Sequence, residues 1–169
     1  MDKRIFILNG MARSGKDTFV STLYKLGIEA VHYSYVDFTR FMLNNAGIAI
    51  ADKTDKVRKL LCDINNTLEE YDDTPFKDCC EIADDFKDNW LEGDWLIIDC
   101  RDPKNIERLK KATNAETIFI KSNLNCDVTS ADKAVSKSYE YDYYIDNTGT
   151  LTEFERNIEE FTRNLKLAK

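Results

Sequence analysis

A chain of 169 residues with 43% hydrophobic and 33% charged residues is long enough for one domain with a substantial core and too apolar for wholesale disorder. Its formal net charge of −7 argues against non-specific binding to nucleic acid or to an anionic membrane surface, since both repel it at long range. The five cysteines (Cys62, Cys79, Cys80, Cys100 and Cys126) form no C-x-x-C pair and His32 is the sole histidine, which argues against a zinc site and against a Ser-His or Cys-His catalytic pair.

The first apolar run, Ile5 to Leu8, is too short for a signal sequence or a membrane span and reads as a strand buried on both faces. Gly10 to Gly15 is a loop, and Asp17 to Leu26 has the helical spacing Phe19, Val20, Leu23, Leu26 before a stop at Gly27. A second strand is expected over Ile28 to Tyr35, and a helix over Asp37 to Asn45 ending near Gly47. A longer helix over 53–70 carries Val57, Leu60, Leu61, Ile64 and Leu68. Thr74-Pro75 is read as a capping hydroxyl with proline at the first helical position, opening a helix to about Trp90. After a turn at Glu92-Gly93-Asp94, Trp95 to Ile98 is another fully apolar strand.

Asp102-Pro103 repeats the cap-plus-proline pattern and opens a helix through Lys111, followed by a strand over Thr117 to Ile120. Residues 122–138 are polar and loop-like, and Tyr141 to Ile145 is expected as the last strand. Thr150-x-x-Glu153 matches a capping box before a terminal helix with Leu151, Phe154, Ile158, Phe161 and Leu165 on one stripe. Doubly buried strands alternating with helices imply an α/β fold, a mostly parallel sheet covered on both faces. Ligands in such sheets bind beyond the carboxyl ends of the strands.

Gly10-Met11-Ala12-Arg13-Ser14-Gly15-Lys16 has the G-x-x-x-x-G-K spacing of a Walker A phosphate loop, between a strand and a helix as that motif requires. Its glycines let successive N–H groups converge on one anion, the helix N-terminus adds positive dipole, and Lys16 reaches the β- and γ-phosphates of ATP. The Ser or Thr expected after the lysine is replaced by Asp17, with Thr18 next. Asp17 is either a ligand of Mg²⁺, directly or through water, or simply a favourable acid in a first helical turn. Asp99 ends an apolar strand where a P-loop protein places a carboxylate near Mg²⁺, and Arg101 follows as either a phosphate clamp or a paired surface arginine.

With these residues in view, the sequence resembles the phage deoxynucleoside monophosphate kinases. The loop Gly10-x-x-Arg13-Ser14-Gly15-Lys16-Asp17-Thr18 is similar to theirs, as is Ile98-Asp99-Cys100-Arg101-Asp102-Pro103-Lys104-Asn105. The stretch Tyr141 to Leu151 resembles the end of the same family and of dephospho-coenzyme A kinases. The resemblance implies a P-loop three-layer α/β/α sandwich of the nucleoside monophosphate kinase type with a five-stranded parallel core. It also implies a helical acceptor-binding insert, about 36–90, and a lid, about 122–138. By the same resemblance Asp37 and Arg40 begin the acceptor site, and Arg58 and Arg101 reach the acceptor phosphate. Arg58 reads equally as part of a solvated face with Lys56 and Lys59. Asn147 and Gly149 lie either near the adenine or in a plain helix-entry turn.

The lid of that family carries arginines, whereas residues 121–138 hold Lys121, Lys133 and Lys137 and no arginine. The expected protein is thus a cytoplasmic, ATP- and Mg²⁺-dependent kinase of a small phosphorylated acceptor, a nucleoside monophosphate first. It is expected to be a monomer or homodimer, without nucleic-acid or membrane partners. The alternatives are a kinase for another small acceptor such as dephospho-coenzyme A, with Asp37 as base for an alcohol, and a nucleotide-binding module with little or no transfer activity.

Overall fold

The computed structural model describes residues 3–51, 54–91, 93–123 and 139–167. Among these the strands are β1 (Arg4–Asn9), β2 (Ala30–Ser34), β3 (Trp95–Asp99), β4 (Glu116–Ser122) and β5 (Tyr143–Asn147). The helices are α1 (Lys16–Lys25), α2 (Asp37–Asn45), α3 (Asp55–Asp72), α4 (Thr74–Asn89), α5 (Pro103–Thr113) and α6 (Leu151–Leu167). The strands form one parallel sheet in the order β2-β3-β1-β4-β5. The expected five-stranded parallel core is therefore present, with helices on both faces.

The apolar runs explain the layering. Along β1, Phe6 and Leu8 point into one core with Phe19, Leu23, Trp95, Phe154 and Ile158. Ile5 and Ile7 point into the other, with Tyr35, Phe86, Leu96, Ile106 and Leu109. The two-residue side-chain period thus places α1 and α6 on one face, and α4 and α5 on the opposite one. Helix α2 packs on α3 and α3 on α4, so these helices extend the second layer past the sheet.

Several local expectations shift. Thr74 is the first residue of α4 rather than its cap; Asp73, in the left-handed conformation (φ 65°), precedes it. Both the Thr74 amide and hydroxyl bond to the carboxylate of Asp72. Leu151 is 62% exposed, whereas Phe154, Ile158 and Leu165 are buried as the stripe requires. The capping box is formed: the Thr150 amide donates to Glu153 Oε2 at 2.7 Å and the Glu153 amide to Thr150 Oγ1 at 3.3 Å.

The last strand begins two residues later than expected, because Tyr141 and Asp142 are used as side-chain anchors. Asp142 Oδ2 accepts from the Thr117 amide and hydroxyl, both at 2.8 Å, and from Lys110 Nζ at 2.6 Å. Partial burial pushes this carboxyl's pKa up, but the Lys110 and Thr117 bonds outweigh that and hold it below its ordinary value. Its stabilisation is therefore present above the unfolded pKa of about 3.9 and lost as pH falls through the lower folded value. Asp142→Ala is expected to cost about 1–2 kcal/mol at neutral pH, the Lys110 bond being partly screened by solvent. Thermal melts should show the gap from wild type closing below about pH 4.

Candidate active site

The loop with Walker A spacing is built by close contacts at its two glycines. At Gly15 (φ 102°) a Cβ would lie 2.7 Å from Asn147 Nδ2 and 2.9 Å from Phe154 Cε1, so both backbone conformation and space demand glycine. A Cβ on Gly10 would meet Ser14 Oγ at 2.5 Å. Between them Arg13 is left-handed (φ 62°) and the Ser14 amide bonds the Met11 carbonyl at 3.1 Å. Lys16 opens α1 and folds over the loop, its Nζ 3.2 Å from the Gly10 carbonyl and 3.4 Å from that of Met11.

A single cavity of about 1090 Å³ runs from this loop along the carboxyl ends of β2 and β3 to α2 and α3. Arg13, Ser14, Gly15, Lys16, Asp17 and Thr18 line it at the loop. Asp99, Arg101, Asp37, Arg40 and Arg58 line the rest, so residues scattered from 13 to 101 share one space. Asn147 and Gly149 are not among the lining residues. Asn147 Nδ2 instead donates to the Ser14 carbonyl at 2.8 Å and braces the loop from behind. Of the lysines near the expected lid, Lys121 sits 4.7 Å from the centre of the Tyr144 ring. Lys133, Lys137 and nearly all of that lid lie outside the described residues.

The acidic groups are unequal. Both carboxylate oxygens of Asp37 are engaged: Oδ2 accepts from the Ser34 amide at 2.7 Å and Oδ1 from Arg40 Nη1 at 2.6 Å. Asp99 Oδ1 is buried and 3.3 Å from His32 Nε2, without a well-aligned donor. Asp99 raises the His32 pKa above the ordinary imidazole value, more than burial lowers it. Arg58 lies 3.7 Å from Asp55.

Sequence reasoning passed over several lining residues. His32 was visible as the sole histidine but had no motif around it. Asn65 and Glu69 follow Leu61 at four-residue intervals on the cavity face of α3. Asn65 is buried and accepts from Thr39 Oγ1 at 3.0 Å; Glu69 accepts from Asn105 Nδ2 at 3.0 Å. The available signal was a polar residue, Asn65, interrupting the apolar stripe of a helix. Cys79 and Cys100 are buried, and burial pushes both thiols up, so neither is poised as a nucleophile.

Asp17, Thr18 and Asp99 present two carboxylates and a hydroxyl to the cavity beside this loop, and one buried carboxylate oxygen lacks an aligned donor. This donor set fits a hard cation that keeps most of its shell as water and phosphate oxygen. Among the described residues no three Asp, Glu, His or Cys side chains cluster as a dedicated metal cage.

No protein-family model and no curated protein matches the sequence. Solved structures do share the fold. A dephospho-CoA kinase from Campylobacter jejuni superposes with a TM-score of 0.53 at 14% identity, over 96% of this chain and 97% of the other. A shikimate kinase from Aquifex aeolicus gives 0.52 at 15%, over 98% and 99%. A sugar kinase from Janibacter gives 0.52 at 15%, over 98% and 96%. The chain thus has the three-layer fold seen in small-molecule kinases that differ in acceptor.

Proposed function

We propose that this protein is an ATP-dependent small-molecule kinase whose acceptor already carries a phosphate, a nucleoside monophosphate first. One observation carries the reading: a Walker-type loop and three arginines, Arg40, Arg58 and Arg101, open onto the same cavity of about 1090 Å³. That volume exceeds a usual single-ligand pocket of roughly 300–1,000 Å³ and has room for donor and acceptor together.

In this reading the amides on the cavity side of the loop and the Lys16 ammonium hold the ATP β- and γ-phosphates. Gly10 shapes the loop from beneath, while Arg13, Ser14, Gly15 and Thr18 form its cavity side. Asp17, Thr18 and Asp99 would hold Mg²⁺, which when bound neutralises charge on the phosphate oxygens. Arg101, with Arg40 or Arg58, holds the acceptor phosphate in line. An acceptor phosphate oxygen bonds to Pγ as the bond from Pγ to the β,γ-bridging oxygen breaks, and ADP leaves with that electron pair. The nucleophile is already anionic, so no general base is needed. Asp37, bonded to the Ser34 amide and to Arg40, is given no proton to move in this reading.

The test is a panel of nucleoside and deoxynucleoside monophosphates, with dephospho-coenzyme A and shikimate as alcohol acceptors. Each is incubated with ATP and Mg²⁺ and the products resolved by mass. One or more monophosphates should yield diphosphate and ADP in equal amounts. Turnover of the alcohols alone would replace the acceptor assignment. ATP binding without any phosphorylated product would leave a nucleotide-binding module.

A further inference from the structure

We infer that Asn9 is a positioning residue for transfer: its side-chain amide holds the phosphate loop and the Arg101 segment at one fixed separation. The task given to Arg101 rests on the kinase reading above; the bridge itself is a matter of geometry.

Asn9 ends β1 and is fully buried. The β1–β3 ladder runs out where the Cys100 amide donates to the Leu8 carbonyl at 3.2 Å. Beyond that point the chain after β1 must leave the sheet to form the loop, so its backbone cannot continue the pairing. The Asn9 side chain takes over. Its Oδ1 accepts from the Gly10 amide at 2.7 Å, and its Nδ2 donates to the Arg101 carbonyl at 3.2 Å and to Tyr141 Oη at 2.7 Å. The amide can face only one way, since an N–H needs an acceptor and a carbonyl needs a donor.

One buried side chain therefore joins three pieces of chain far apart in sequence. They are the first residue of the donor loop, the residue bearing a cavity guanidinium, and Tyr141, near the point where the described chain resumes after residues 124–138. The Tyr141 ring is itself fixed, its centre 4.9 Å from that of Phe119 and 4.7 Å from that of Tyr139. Phosphoryl transfer depends on alignment, and a displacement of about 1 Å can cost on the order of 10²-fold in rate. Asn9 is placed to set that alignment without touching either substrate, for it is not among the residues lining the cavity.

Asn9→Asp keeps the shape and the acceptor for Gly10 but turns a carboxylate oxygen toward the Arg101 carbonyl. Tyr141→Phe keeps both backbone bonds and removes only the hydroxyl. Steady-state kinetics should show kcat falling by about tenfold or more in Asn9→Asp, with KM for ATP within about threefold of wild type. In Tyr141→Phe kcat should stay within about threefold. An unchanged kcat in Asn9→Asp would overturn the inference, as would loss of kcat only in proportion to ATP affinity. If Asn9→Asp does not fold, Asn9→Ser, which retains a small acceptor for Gly10 and loses the reach to Arg101, takes its place with the same expected split. If the wild type transfers to no acceptor, the kinase reading fails by itself. Asn9 is then judged by amide hydrogen exchange: ATP should slow exchange at Cys100 and Arg101 in the wild type and not in the variant, and equal slowing in both would sink the bridge.

Discussion

Lys16→Ala should lower phosphoryl transfer by about 10³-fold while leaving the melting temperature nearly unchanged. The ammonium already bridges the Gly10 and Met11 carbonyls, so it is held against the loop at the cavity it lines. A rate loss of that size corresponds to ~4 kcal/mol of transition-state stabilisation, which is within what one preorganised charge supplies in a site that excludes water. The fold should survive because Lys16 is only half-buried and contributes no apolar side chain to either core. Single-turnover assays with product resolved by mass, alongside a thermal melt, check both halves. Turnover near the wild-type rate would remove the lysine from the mechanism.

Arg101→Ala should reduce kcat/KM for the acceptor by about 10²–10³-fold and change KM for ATP by less than about threefold. Arg101→Lys should recover only a small part of this, because an ammonium cannot offer two parallel N–H bonds to a phosphate. The prediction is specific to the side chain, since the Arg101 backbone carbonyl is held by Asn9 in every variant. Arg58→Ala should give a smaller loss: Arg58 lies near Asp55 on α3 and lines the same cavity as Arg40, itself paired with Asp37. Initial rates at varied acceptor and fixed ATP distinguish these outcomes. A change confined to KM for ATP would move Arg101 to the donor side.

The parts of the fold readable in advance were those governed by local rules. A run such as Trp95 to Ile98 has no polar side to expose, so it becomes an interior strand wherever the chain folds. Gly27 and Gly47 both take φ 73°, the left-handed turn that ends a helix. The Thr150–Glu153 box closes within a single turn. The loop from Gly10 to Lys16 belongs with these, because its spacing and its strand–helix setting are carried by consecutive residues.

Where local rules misled, a tertiary contact had outbid them. Thr74 carries a capping hydroxyl, yet α3 and α4 meet so tightly that Asp73 makes the turn and its carboxylate pairs with Arg108 of α5. Tyr141 and Asp142 look like strand residues, yet they bond to Asn9 and Thr117, residues 132 and 25 positions away in the chain. Leu151 fits the apolar period of α6, but its place at the helix entrance leaves it uncovered.

The amino-acid sequence by itself determined which segments are interior, where the helices start and stop to within a few residues, and that a glycine loop of Walker A spacing sits between the first strand and first helix. Only the tertiary structure decided that Arg40, Arg58 and Arg101 share a cavity with that loop, that α3 turns Asn65 and Glu69 toward it, and that Asn9 and Asn147 are the braces behind it. The physical reason is range: burial and backbone conformation are set by neighbours a few residues away, whereas a site at the ends of parallel strands is assembled by crossovers that bring together residues on the order of a hundred positions apart.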